Sequence, residues 1–240
     1  MRDKKQVYFV RHGETPLNAK NFRQGRQGPL SALGREQAAF VGERFTKIPV
    51  DIIFSSPYER AEETARIIAS KIDKKVEVIE ILSERRNPHE IIGRSSEDPE
   101  VATILDRIDR SFHTNDLRYS DEENFSDLKD RTNKLLRFLE ARPEKQILCI
   151  THHIFLRCVA GYIEKGEKFT ANDFAKFTFL NPLNNAGITL CTYEPEFRGF
   201  FRKRQLDPHE NLGWKLVIWN DYGRIDPKTE PDSLNPSEKK

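Results

Sequence analysis

Four separated segments carry the side chains needed to move a phosphoryl group. The first is Arg11-His12-Gly13-Glu14-Thr15, directly after the apolar run VYFV (7–10). An imidazole nitrogen with a free lone pair can attack phosphorus, so His12 is a candidate nucleophile. The Arg11 guanidinium can form two parallel hydrogen bonds to phosphoryl oxygens. Gly13 permits close backbone approach, and Thr15 and Asn18 could add neutral donors around the anion. The second segment, Ser55-Ser56-Pro57-Tyr58-Glu59-Arg60, follows DIIF (51–54). It puts Arg60 in the first turn of a predicted helix, where both its charge and the helix N-terminus favour an anion. The third, Thr151-His152-His153, follows ILCI (147–150). Three units thus each place a cationic or potentially cationic residue after an apolar strand, the end of an open α/β sheet at which ligands bind. A departing alkoxide needs a proton, and Glu84, beside Arg85 and Arg86, is the candidate donor. A negative phosphoryl group would raise the pKa of that carboxyl and the arginines would lower it. Glu80 and Glu90 are the competing carboxylates.

The elements that must position these groups are legible from periodicity. VYFV, DIIF, VEVIEIL (76–82), ILCI, GITLCTY (187–193) and WKLVIWN (214–220) are predicted strands. Helical spacing of apolar residues predicts helices over 34–46, 58–71, 99–110, 126–141 and onward from 153 or 154. Residues 11–32, rich in Gly, Asn, Gln and Pro, are predicted to be a long loop, with Ser31 able to cap the next segment. Residues 83–124 break the α/β rhythm and are predicted to be a cap-like insertion over the main fold. Short apolar strands alternating with helices predict a three-layer α/β/α domain over 1–225, with a mainly parallel, mixed central sheet. The Pro-rich, charged residues 226–240 are predicted to be a disordered tail.

Composition narrows the function classes. The 240-residue chain is 37% hydrophobic and 32% charged, with 40 Lys+Arg against 38 Asp+Glu and a formal charge of +2. That balance argues against an extended nucleic-acid face, and FRGFFRKRQ (197–205) is read as a surface loop brace. No stretch approaches the roughly 18 apolar residues of a membrane span. Cys149, Cys158 and Cys191 form no CxxC pair and fit reduced, buried thiols of a cytoplasmic protein. Neither GxGxxG nor GxxxxGK[ST] is present, so nucleotide binding by those loops has no support. The absence of HExxH or a tight Cys/His cluster gives no metal site either. His89, His113, His153 and His209 are not convincing catalytic residues taken singly; His89 and His153 are placed at the mouth of the site.

RHGETPLN (11–18), RQGRQGPLSALGREQA (23–38), SSPYERAEETA (55–65), ENFSDLKDRTNKLLRFLE (123–140) and ILCITHHIFLR (147–157) together resemble the histidine phosphatase, or phosphoglycerate mutase-like, superfamily. The resemblance implies that His12 is phosphorylated and that Arg11, Arg60 and His152 surround the transferred group. It places the general acid in the segment Leu82-Ser83-Glu84-Arg85, at Glu84. It also implies substrate contacts from Thr15, Asn18, Gln24, Gly25, Arg85 and His153. Two features depart from the family pattern. His153 stands where Gly is common, and RNPHEIIGR replaces the family's charged, aromatic-rich stretch. The Arg-rich loop of a typical phosphoglycerate mutase is not evident.

The implied activity is metal-independent hydrolysis of a small phosphate monoester, with no cofactor. The alternatives are a bisphosphoglycerate-dependent mutase and a non-catalytic phosphate-binding protein. Oligomeric state, a dimer included, is left open by the sequence.

Overall fold

The computed structural model describes residues 4–114, 118–195 and 213–223. The segment 197–205, the tail 226–240, His209 and the side chain of His113 lie outside the described residues.

The chain runs through strand β1 (Lys5–Arg11), a single helical turn α1 (Pro16–Ala19) and helix α2 (Ala32–Phe45). Strand β2 (Ile52–Ser55), helix α3 (Glu59–Ile72) and the short strand β3 (Val76–Val78) come next. Helices α4 (Pro99–Thr114) and α5 (Phe125–Ala141) precede strand β4 (Gln146–Thr151) and helix α6 (His153–Lys165). Helix α7 (Ala171–Leu180) and strands β5 (Ile188–Tyr193) and β6 (Trp214–Asp221) complete the order. The six strands form one sheet in the order β3-β2-β4-β1-β5-β6. The β1/β4, β2/β4 and β2/β3 pairs are parallel, while β5 runs antiparallel to both β1 and β6. The predicted mixed α/β/α sheet is therefore present.

Alternation along each strand builds the three layers. Val7, Phe9, Ile52, Phe54, Ile147 and Cys149 join Leu128, Leu135, Leu136 and Leu139 of α5, and Phe155 and Val159 of α6, in one buried cluster. Tyr8, Val10, Ile53, Leu148 and Ile150 pack with Val41 and Phe45 of α2, and Ala61, Ala65 and Ile68 of α3, on the other face. The three cysteines are free and buried, as expected from the sequence. Burial raises each thiol's pKa.

Three element predictions need correction. VEVIEIL is a strand only over Val76–Val78, and Glu80–Leu82 is a 3-10 turn. The apolar residues of this stretch are satisfied differently: Leu82 leaves the sheet edge and enters the core at 0% exposure. The 11–32 loop contains α1, which Thr15 caps while Asn18 returns a hydrogen bond to the cap. Helix α7, capped in the same way by Thr170 and Asp173, had no counterpart in the prediction. Residues 83–124 contain α4 and an apolar cluster, Ile91, Val101, Ile104 and Ile108. Helix α4 packs against α7.

Two glycines let the loop after β1 lie directly on α2. A Cβ on Gly34 would fall 2.0 Å from the Glu14 carbonyl oxygen, and one on Gly13 would fall 2.4 Å from the Gly34 carbonyl oxygen. These are backbone contacts that no side-chain rotation can relieve. Gly34→Ala should therefore destabilise the protein by about 1–3 kcal/mol, the usual range for overpacking. It should also cut activity by displacing His12. Urea denaturation with a parallel activity assay would read both effects.

Candidate active site

The parallel sheet brings the carboxyl ends of β1, β2 and β4 side by side, and backbone hydrogen bonds lock them together. His12 N donates to Thr151 O at 3.0 Å, and Ser56 N donates to Ile150 O at 3.0 Å. The Thr151 hydroxyl donates to Leu82 O at 2.8 Å, which ties in the segment that carries Glu84. Above these ends lies a cavity of about 710 Å³ whose lining includes His12, Arg11, Arg60, Glu84, Arg85 and His153.

His12 is 4% exposed, and its surroundings fix its tautomer. Nδ1 lies 2.7 Å from the Gly13 carbonyl oxygen, which can only accept, so Nδ1 carries the proton. Nε2 receives the Arg60 Nε–H at 3.1 Å, so it carries the lone pair. Burial, then Arg60 and Arg11, hold the His12 pKa well below the usual histidine value. The ring is therefore neutral, with its basic nitrogen turned towards a guanidinium.

His152 faces His12, with ring centroids 5.1 Å apart. Its Nε2 is 2.7 Å from Ser56 Oγ, which also accepts the Tyr58 N–H at 3.2 Å. The Ser56 hydroxyl, which can donate or accept, thus anchors the Nε2 edge of the ring. The Nδ1 of His152 is buried and has no hydrogen-bond partner among the described residues.

Arg60 is 3% exposed. Its Nη1 donates to Gly25 O at 2.8 Å, and its guanidinium stacks on the Tyr58 ring at 5.0 Å. Arg11 Nη1 donates to Leu183 O at 2.6 Å. Burial lowers both guanidinium pKa values to about 10, while Glu84 opposes the fall; both remain charged at neutral pH. The Glu84 carboxylate accepts the backbone N–H groups of Arg85 (2.8 Å), Ile154 (3.1 Å) and Phe155 (3.0 Å).

The remaining predicted site residues divide between the cavity and its supports. Asn18, Gln24, Arg85 and His153 line the cavity. Thr15 does not; it is fully buried, accepts the Asn18 N–H at 3.1 Å, and lies 2.8 Å from Gln24 Oε1. Gly25 contributes the carbonyl that holds Arg60. Asn18 donates to Asn185, which in turn donates to His12 O at 3.1 Å. His153 packs against the Arg157 guanidinium, one helical turn on. Burial, then Arg11 and Arg157, lower the His153 pKa to about 2.

Further lining residues had no role predicted from the sequence: Arg23, Asn87, Asp109, Arg157 and the aromatic side chains Phe22, Phe174 and Phe179. Arg157 was within reach of helical spacing, since it lies four residues after His153 on the same helix. Asp109 was not, because its position depends on how α4 docks. Among the described residues, no group of three His, Cys, Asp or Glu side chains converges to hold a metal ion. No described helix is long and apolar enough to cross a membrane.

An α/β/α sheet that carries a neutral buried histidine among arginines at its strand ends has the build of a histidine-phosphatase-type hydrolase. The profile of the Histidine phosphatase superfamily (branch 1) matches residues 7–201, and the chain belongs to that superfamily. It is 31% identical over 166 residues to the probable phosphoglycerate mutase GpmB of Citrobacter koseri, an alignment covering 66% of this chain and 74% of the relative. Against the GpmB of Salmonella arizonae the identity is 33% over 167 residues, with the same coverage.

Among solved structures, a mycobacterial glucosyl-3-phosphoglycerate phosphatase complexed with VO3 is similar, with TM-score 0.71 and 21% identity over 90% of this chain and 99% of that one. A phosphoserine phosphatase mutant from Entamoeba histolytica, in complex with phosphoserine, has TM-score 0.68 and 24% identity over 91% and 98% of the two chains. These two likenesses establish the fold.

The depressed histidine pKa values set a pH dependence. In the unfolded chain His12, His152 and His153 take up protons near pH 6.5, whereas in the folded protein they do so only well below that. Between these limits the unfolded state binds more protons, so stability should fall as pH drops below about 6.5. His153→Gln should make that fall shallower, as measured by urea unfolding between pH 7.5 and 4.5.

Proposed function

We propose that the protein hydrolyses a small phosphate monoester through a phosphohistidine on His12. The observation that carries this reading is the His12 tautomer, neutral with its Nε2 lone pair facing Arg60. Arg11, Arg60 and His152 hold the phosphoryl oxygens. As the Nε2–P bond forms, the ester P–O bond breaks, and Glu84 gives its proton to the departing oxygen. Water then attacks phosphorus and returns a proton to the Glu84 carboxylate. The N–P bond breaks, releasing phosphate and neutral His12. The fixed donors need little reorganisation as charge builds on the equatorial oxygens.

The cavity also favours an ester with a second acidic group. Among the described residues, five arginines line it (Arg11, Arg23, Arg60, Arg85 and Arg157) against two carboxylates, Glu84 and Asp109. Two of the arginines flank His12, which leaves three for the rest of the substrate. The similar proteins point in the same direction, since their names refer to phosphoglycerate, glucosyl-3-phosphoglycerate and phosphoserine.

One observation favours a second reading, phosphoglycerate mutase: the identity of 31–33% to proteins of that name. A mutase would return the phosphoryl group from His12 to a second hydroxyl rather than to water. It would need a bisphosphate activator.

In an assay with EDTA present, wild type should release phosphate from acidic phosphate esters. His12→Ala should lose at least about three orders of magnitude in rate and should trap no label in a quenched reaction. Undiminished labelling of the variant would remove His12 as nucleophile. Isomerised phosphoglycerate with little free phosphate would establish the mutase. Arg23→Gln should raise KM for phosphoserine or 3-phosphoglycerate about tenfold or more, the worth of a charge-assisted hydrogen bond. It should leave ethyl phosphate unchanged.

A further inference from the structure

The α5 helix, whose sequence had no assigned role, reaches the proposed acid from behind. Arg131 Nη1 donates to the carbonyl oxygens of Ile81 at 3.2 Å and Ser83 at 2.5 Å, and Nη2 lies 3.5 Å from Glu84 O. The same guanidinium grips Glu123 in a fork, Nε to Oε1 at 2.9 Å and Nη2 to Oε2 at 2.8 Å. Glu123 in turn accepts the Arg86 N–H at 2.8 Å and donates its own N–H to Arg86 O at 3.0 Å. The chain is thus fixed on both sides of Glu84. The Arg131 guanidinium also lies over the Phe155 ring, 4.0 Å from its centroid. Phe155 is one of the three residues whose amides donate to the Glu84 carboxylate. One guanidinium therefore touches the backbone that carries the acid and the ring of a residue that orients its carboxylate.

We propose that Arg131 and Glu123 form a positioning pair that holds Glu84 in register for proton transfer to the leaving oxygen. The proposal rests on the general-acid role assigned to Glu84. Neither residue lines the substrate cavity. Both line a separate cavity of about 450 Å³, together with Glu80, Arg86 and Lys134. They act through Glu84 and not on the substrate. The planar fork is essential, because five directed N–H groups serve three carbonyls and a carboxylate at once. A lysine ammonium carries charge without that geometry.

A misplaced acid has a distinct kinetic signature. An alkoxide must be protonated to leave, whereas 4-nitrophenolate leaves without a proton. A bridge that only braces α5 against the fold would, when lost, slow both substrates alike or lower stability alone.

The test compares kcat/KM for phosphoserine and for 4-nitrophenyl phosphate in wild type, Arg131→Gln, Arg131→Lys, Glu123→Gln and Glu84→Gln. Inorganic phosphate inhibition and thermal melting are measured alongside. All three pair variants should lose at least about tenfold on phosphoserine, part of what a general acid contributes. They should stay within about twofold on the aryl ester, with phosphate inhibition unchanged. Glu123→Gln keeps the side-chain volume and serves if the Arg131 variants do not fold. If Glu84→Gln is selective for the alkyl ester while the pair variants lose both activities equally, or lose neither, the positioning role is overturned. If Glu84→Gln is itself unselective, the acid assignment fails and the proposal fails with it.

Discussion

A neutral imidazole buried beside a guanidinium is the constraint around which the site is built. Alone, a buried Arg60 would carry a heavy desolvation cost, and a buried His12 would leave Nε2 unsatisfied. Together they offset part of each other's cost. The guanidinium gives one proton to Nε2, the ring gives its own to Gly13 O, and Gly25 O takes another from Arg60. The arrangement stays paired only while His12 remains uncharged, and burial, with Arg60 second, enforces that condition. The interaction that makes the pair stable is the one that leaves a lone pair on Nε2, the atom proposed to attack.

That geometry requires β1, α3 and the loop after β1 to be held in close register. Parallel pairing across β2, β4 and β1 aligns the strand ends, and Gly13 and Gly34 bring the loop after β1 onto α2 backbone to backbone. The Gly13 N–H then reaches the Thr64 hydroxyl at 3.1 Å, and that hydroxyl donates to Arg60 O at 2.7 Å. The loop that carries His12 is therefore fastened to the same helix that carries Arg60. Thr15, silent in the cavity, fixes the far end of the loop as the cap of α1.

Sheet, core helices and the His12, Arg11, Arg60 and His152 quartet were legible in sequence because each rests on local signals. Those signals are an apolar run, a turn, and a polar residue at the strand's carboxyl end. Where the sequence fell short as a guide, the controlling contacts are distant. Alternation in VEVIEIL could not reveal that Leu82 turns into the core, since the cluster that receives it comes from α5 and α6. Thr15 read as a donor to the anion because its role as a cap depends on α1, a single turn too short to show periodicity. Arg23, Asp109, Phe174 and Phe179 reach the cavity only after α1, α4 and α7 have docked. No spacing rule joins residues from three such segments.

The same division separates chemistry from choice of substrate. Arg11, His12 and His152 come from strand ends, whose relative positions the sheet dictates, and Arg60 from the first turn of the helix after β2. The outer lining of the cavity comes from α4, α7 and the turns beside them, which are joined to the sheet by side-chain packing. Phe179, 89% exposed yet part of the cavity wall, stands at the outer edge of that second set. Asp109 faces Arg23 from α4, with its charge felt at the guanidinium alongside that of Arg85. On the proposed function, an acidic substituent entering there would gain two guanidinium partners and meet one carboxylate, so the outer cavity would discriminate by where the second charge lies on the ester as well as by its sign. Substitutions in α4 and α7 would then move that preference without disturbing the strand ends.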